Sequence, residues 1–228
     1  MAEVEDTKST PGTRRRRPSH ASAALELASG DPVLAALIEA AGPMRLRKPF
    51  DSHFGALVRS VVYQQLAGRA AAAIHARLVS ALEGDVSPEA VMGASEASLR
   101  GAGLSGSKAA SIRDLAAKVL DGTVVLDPRR IAREGDEEVI ARLCTVRGIG
   151  EWTAQMFLLF QLRRLDVWPA GDLGVRRGYG LAWGVDMPSA KQLAPLGDRY
   201  RPYRSVVAWY CWRACDIYAG TAPSAVTA

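Results

Sequence analysis

Past the first twenty residues, apolar side chains recur every three to four positions: Leu34, Leu37 and Ile38, then Leu57, Val58, Val61 and Val62, then Ile74, Leu78 and Leu82. An α-helix brings such positions onto one side, so each set predicts one buried helical face. The two-residue alternation of a half-buried strand is nearly absent. One apolar piece, TVVL at 123–126, is too isolated to build a sheet, and Asp127-Pro128 after it predicts a helix start. The pattern therefore predicts an all-α fold. Glycine and proline punctuate the chain at Gly42-Pro43, Gly84, 101–106, Gly122, Gly135, 148–150, 169–171, Gly184 and Pro202, which divides it into about ten helices. No self-similarity of fixed period indicates a solenoid, so a compact helical array is expected.

Composition narrows the picture. With 48% hydrophobic residues among 228, the chain can bury one sizeable core or two small neighbouring ones. No apolar run approaches the roughly 20 residues of a spanning helix, and no apolar secretory segment follows the N-terminal charges. The expectation is a soluble protein without a membrane partner, cytoplasmic and nucleoid-associated, or nuclear in a eukaryote. Cys144, Cys211 and Cys215 make an odd count with no framework for disulfides or a four-ligand metal site, and are expected to be reduced and buried. His20, His53 and His75 share no ligand spacing, so no metal and no cofactor is assigned. The net charge of +5 and pI near 9.3 permit a polyanionic partner without requiring one. Part of that charge, Arg14 to Arg17, falls in a Ser/Thr/Pro-rich leader at 1–20 that reads as disordered, either a solvated tail or a non-specific phosphate-binding arm. Residues 221–228 read as a flexible tail.

The stretch LCTVRGIGEWTAQMFLLFQLRR carries a mechanism. A helix ending near 142–144, a tight turn with Gly148 and Gly150, and a second helix over 151–164 form a helix-hairpin-helix near 142–160. Glycine at both positions allows positive φ and close approach of another backbone, while Ile149 anchors the turn. The helix start behind it offers free N–H groups and a positive dipole end to a phosphate. A glycine-terminated turn with no ligand has the same local form. Trp152, Met156 and Phe160 then fall at i, i+4 and i+8 as one apolar stripe. Most such stripes are core, but a tryptophan in the first turn stands beside the phosphate end and can offer a stacking face to a base.

About twenty residues on, WPAGDLGVRRG places Asp172 after a Pro/Gly loop and before a predicted helix, where an N-cap is its ordinary role. A helix of about 14 residues spans about 20 Å, so the loop can double back and return Asp172 to Trp152. A fixed anion beside an aromatic wall and a phosphate-binding turn suits chemistry with developing positive charge on a nucleotide. Cleavage of an N-glycosidic bond is such chemistry.

These segments, with SVVYQQLAGRAA and LRGAGLSGSKAASIRDLA upstream, resemble the helix-hairpin-helix base-excision DNA glycosylases, in particular their 3-methyladenine DNA glycosylase II branch, over 49–218. The resemblance implies two helical lobes, a central one at 61–164 and a discontinuous one at 21–60 and 165–220, with the active-site cleft between them. It makes Asp172 the catalytic aspartate, and makes Val146, Arg147, Gly148, Ile149 and Gly150 the hairpin whose amides hold a phosphate of the target strand. Leu66, with Gln65 beside it, matches the wedge that enters the duplex, although by its residues alone that stretch is a hinge between helices. Trp152, Met156 and Trp212 correspond to the base pocket, with core packing the other role for Trp212. Met156 stands where another member has an aromatic residue, which leaves the range of bases open. Bifunctional members carry a lysine where this chain has Trp152, and iron–sulfur members carry four cysteines near the C-terminus where this chain has two, so a monofunctional enzyme without a cluster is implied. Fewer than fifty residues precede Phe50, so the minimal form without an N-terminal β-rich domain is expected. The implied protein is a monomer that flips alkylated purines out of double-stranded DNA. The same fold acting on deaminated or oxidised bases, or a non-catalytic DNA-binding protein, are the other readings.

Overall fold

The structure is a computed structural model and describes residues 18–218. Thirteen α-helices appear in it: α1 (His20–Gly30), α2 (Pro32–Ala41), α3 (His53–Tyr63), α4 (Gly68–Ala81), α5 (Pro88–Gly93), α6 (Glu96–Gly101), α7 (Gly106–Leu120), α8 (Pro128–Ile131), α9 (Asp136–Leu143), α10 (Glu151–Met156), α11 (Leu173–Trp183), α12 (Ala190–Leu196) and α13 (Arg204–Ile217). A π-helical turn (Phe157–Gln161) continues α10, and a 3-10 turn (Asp198–Tyr200) precedes α13. No strand occurs among the described residues, and 123–126 is a bend running into irregular backbone that buries Val124. The helices outnumber the expected ten because short pieces such as α5, α6 and α8 each form a separate helix with its own cap. Ser87, Ser95 and Asp127 accept from backbone N–H groups in the first turns of these pieces, satisfying donors that a helix start otherwise leaves open. No helix is long and apolar enough to cross a membrane among the described residues.

Two cores divide the chain. One gathers buried side chains from Phe54 to Val167, and its largest fully buried members include Leu57, Leu78, Leu99, Ile112 and Leu143, each contributing about 1.5–3 kcal/mol by leaving water. The other joins Leu34 and Leu37 near the start of the chain to Val175, Leu193, Val206 and Tyr210 near its end. The expected lobe boundary at residue 60 falls inside α3 and is corrected: Phe54, Leu57, Val58, Val61 and Val62 all join the central core. A helix with one continuous apolar face cannot divide that face between two lobes, so the crossing lies in the extended segment 42–52 instead.

The leader is also shorter at its structured end than expected. Ser19 caps α1 through a reciprocal pair with Ser22, so His20 is already helical. Residues 1–17, with Arg14 to Arg17, and the expected tail at 221–228 lie outside the described residues. Asp31 fastens the two ends of the outer lobe. It caps α2 through Val33 and Leu34, and its second oxygen accepts from Arg199 at 3.0 Å and the Tyr200 hydroxyl at 2.9 Å. Burial and the adjacent Asp31 carboxylate push the Tyr200 phenol well above its ordinary range.

The segment α10–π touches both cores. Phe157 and Leu158 pack in the central one, Leu159 in the outer one, and Phe160 is left 39% exposed. Gln161 is buried and takes both backbone groups of Phe50: it accepts from the Phe50 amide at 2.9 Å and donates to its carbonyl at 2.8 Å. The two crossings between the lobes are thereby joined to each other.

Candidate active site

The hairpin is built by its packing before it offers anything outward. Val146 and Ile149 are buried in the central core. The Arg147 amide donates to Asp114 Oδ2 at 2.7 Å, and Lys118 bridges Asp114 to the Thr145 carbonyl. The Lys118 ammonium and the Arg147 amide hold the Asp114 carboxyl below its ordinary range. Gly148 has φ +75°, and a Cβ there would stand 2.5 Å from Ser111 Oγ, so both conformation and space call for glycine. Gly150 is extended, has open space around it, and caps α10. Of the five residues expected to offer amides, Val146 and Ile149 spend theirs on the turn and Arg147 spends its on Asp114. Gly148 and Gly150 keep outward N–H groups with no acceptor among the described residues.

Asp172 lies on the other lobe. From Arg163, which turns with φ +60°, the chain reverses along α10. Asp166 is held by Arg201 and Arg204, the Val167 amide by Ser205, and the Trp168 indole by the Leu193 carbonyl. Asp172 then caps α11, accepting from the Val175 amide at 2.8 Å. Two indoles complete its surroundings: Trp212 donates to Oδ1 at 2.9 Å and Trp152 to Oδ2 at 2.6 Å. An ionised carboxylate has about four acceptor positions. Three are filled, and the open one is on Oδ2.

Gly174 and Gly178 make this arrangement fit. They face α13 one turn apart on α11. A Cβ at Gly178 would overlap the Cys211 carbonyl, and one at Gly174 would stand 2.7 Å from Trp212 Cδ1 and 3.1 Å from Asp172 Oδ1. Close backbone contact between α11 and α13 therefore sets the depth of the Trp212 indole. Cys215 donates to the Gly174 carbonyl at 3.3 Å, and burial pushes the Cys211 thiol up. Cys144, expected to be buried, is exposed just past the end of α9, and the three cysteines are free.

Trp152 is 50% exposed and lines a cavity of about 460 Å³ with Tyr63, Gln65, Gly148 and Met156. A second cavity continues past Met156 to Phe160, Trp209, Phe50 and Arg47. Trp212, expected as a pocket wall, lines neither. It stacks on Phe160, with ring centres 5.6 Å apart, and orients Asp172 from behind, so Phe160 takes the wall position. The stripe Trp152, Met156 and Phe160 thus faces the cleft.

The wedge candidates stand at the opposite rim. Gln65 has φ +55° and Leu66 is 39% exposed at the tip of the loop between α3 and α4. Gln64, which the sequence did not single out, donates to the Gly148 carbonyl at 2.9 Å and so ties this loop to the hairpin. Lys108 donates to the Val62 and Gln64 carbonyls at the C-terminal end of α3. The repeated glutamine in YQQLAG was the only sequence signal for such a tie.

Residues 58–198 match a family described as HhH-GPD superfamily base excision DNA repair protein. The chain is 31% identical over 183 residues to DNA-3-methyladenine glycosylase 1 of Schizosaccharomyces pombe, covering 79% of this chain and 78% of that one. A solved 3-methyladenine DNA glycosylase of the same yeast, in complex with abasic DNA, superposes with a TM-score of 0.77 at 30% identity, covering 88% of this chain and 99% of that one. A DNA-3-methyladenine glycosidase from Bacillus halodurans superposes equally, at 0.77 and 35% identity, covering 85% and 88%.

Proposed function

The chain belongs to the HhH-GPD superfamily of base excision DNA repair proteins, and from that premise we propose that it is a monofunctional DNA glycosylase releasing alkylated purines from duplex DNA. The observation that carries this reading is the Asp172 carboxylate, held by three N–H donors at the edge of an aromatic cleft with one acceptor position open. The Gly148 and Gly150 amides and the start of α10 grip a phosphate of the target strand, and Leu66 fills the gap left by the flipped nucleotide. The flipped base stacks on the exposed face of Trp152. As the glycosidic bond lengthens, its electron pair leaves with the base and positive charge grows on the sugar. The Asp172 carboxylate stabilises that charge, and its open Oδ2 position orients the water that adds to the anomeric carbon. Trp152 offers no amine for a Schiff base, so the products are the free base and an abasic site. The protein acts as a monomer.

Replacing Asp172 by Asn keeps an oxygen for the cap and removes the charge. Release of 7-methylguanine from a duplex oligonucleotide falls by about 100-fold or more while DNA binding persists. Unchanged release would remove Asp172 from the chemistry. A non-catalytic DNA-binding role accounts for Gly148 and Gly150 but leaves the carboxylate between two indoles without a use.

A further inference from the structure

The cavity residues beside Trp152 include a cation that the mechanism has not used. Arg59, on α3, lines both cavities together with Ser60 and Met156. Its guanidinium lies over the Tyr63 ring, 3.7 Å from the ring centre, with Phe50 at 5.3 Å. Among the described residues it has no carboxylate partner and donates to no acceptor. Other part-buried arginines are committed: Arg142 to Glu134, Arg164 to Asp136, Arg204 to Asp166. No aspartate or glutamate lines either cavity, whereas Arg45, Arg47, Lys48 and Arg59 all do.

A positive pocket opposes a positively charged base. Stacking on the Trp152 indole attracts a purine made cationic by alkylation, but a guanidinium stationed in the same cavity repels it. For a neutral purine the balance reverses. When the C1′–N9 bond breaks, the electron pair leaves with the base. An N-alkylated cationic purine departs neutral, whereas a neutral purine departs as an anion and must then take up the proton released when water adds to C1′. Negative charge therefore grows on the base only in the second case, and a planar fork of free N–H donors meets that demand.

Resting on the glycosylase reading above, we infer that Arg59 is a specificity-determining residue which donates hydrogen bonds to the flipped base and extends the substrate class to neutral purines by stabilising the departing anion. The Tyr63 ring, its centre 3.7 Å from the guanidinium carbon, restrains the cation at the cavity wall.

The test is single-turnover base release from two duplex oligonucleotides, one carrying 7-methylguanine as the cationic probe and one carrying hypoxanthine as the neutral probe. The full chain is compared with Arg59→Met, which keeps the apolar stem over Tyr63, and with Arg59→Lys, which keeps the charge without the fork. The wild type releases both bases. Arg59→Met loses about 100-fold on hypoxanthine and little or nothing on 7-methylguanine, and Arg59→Lys falls between the two on hypoxanthine. Equal losses on both probes in the methionine and the lysine variants, with unchanged melting temperature, would overturn the inference in favour of general DNA binding. Wild-type release of 7-methylguanine without hypoxanthine would overturn it while leaving the glycosylase reading intact. Release of neither base by the wild type would remove that reading and this inference together.

Discussion

Two pairs of glycines organise this molecule, and they work in opposite directions. Gly148 and Gly150 lie in a turn and leave backbone outside, where a ligand can reach it. Gly174 and Gly178 lie within α11 and admit another helix inward, so that an indole from α13 meets the carboxylate at the start of α11. One pair makes a surface and the other makes a distance. Both are needed because the phosphate grip and the carboxylate sit on different lobes, related by the packing of those lobes and by the Trp152 indole that reaches Asp172.

Alanine substitutions separate the two pairs. The largest effect falls at Gly178, where the new Cβ meets main chain that cannot swing aside. Gly178→Ala costs about 3 kcal/mol or more and lowers the melting temperature by roughly 10 °C. A melting curve unchanged by that substitution would mean that α11 and α13 are not held at this depth. Gly174→Ala meets a side chain instead. The Trp212 indole moves away from Oδ1, and excision slows by roughly tenfold to hundredfold. The gain of about 1 kcal/mol in helix propensity offsets the crowding, so stability changes little. Kinetics identical to wild type would show that the indole bond to Asp172 has no bearing on turnover.

The hairpin pair gives the smallest and most divided response. Gly148→Ala forces an L side chain to φ +75° and costs about 1–2 kcal/mol, part of which Ser111→Ala restores in a double-mutant cycle by removing the hydroxyl in its way. Gly150→Ala has an ordinary φ and open space, and changes stability by less than about 0.5 kcal/mol. Equal destabilisation at the two positions, read by chemical denaturation, would cancel the distinction drawn between them.

The same contrast explains what could be read from the sequence. Turn glycines, a cap aspartate and helical periodicity are local signals, so the all-α class, the hairpin and the return of Asp172 toward Trp152 were visible in advance. A glycine inside a helix is ambiguous until its neighbour is known, and for Gly178 that neighbour is some thirty residues away at Cys211. The π-helical turn was hidden for a similar reason. Its register lets Leu158 and Leu159 serve different cores while Gln161 reaches Phe50, and no local pattern specifies that. Trp212 reads from its residues alone as pocket wall or core; it packs against the outer core, as the second reading has it, and its indole N–H also meets a carboxylate that no local pattern specifies. Arg59 carried no motif at all. Its meaning lies in the carboxylate it lacks, which only a folded neighbourhood reveals.

The clasp between Gln161 and the Phe50 backbone has a mechanical consequence. Two separate crossings would let the lobes slide as well as rotate, but crossings fastened at one point share a single pivot. Rotation about a pivot displaces atoms in proportion to their distance from it. Phe160, the residue before Gln161, adjoins that pivot and stacks on the Trp212 ring that holds Asp172. The carboxylate is thereby joined to the pivot through two stacked rings, while Trp152 holds its other oxygen from across the cleft.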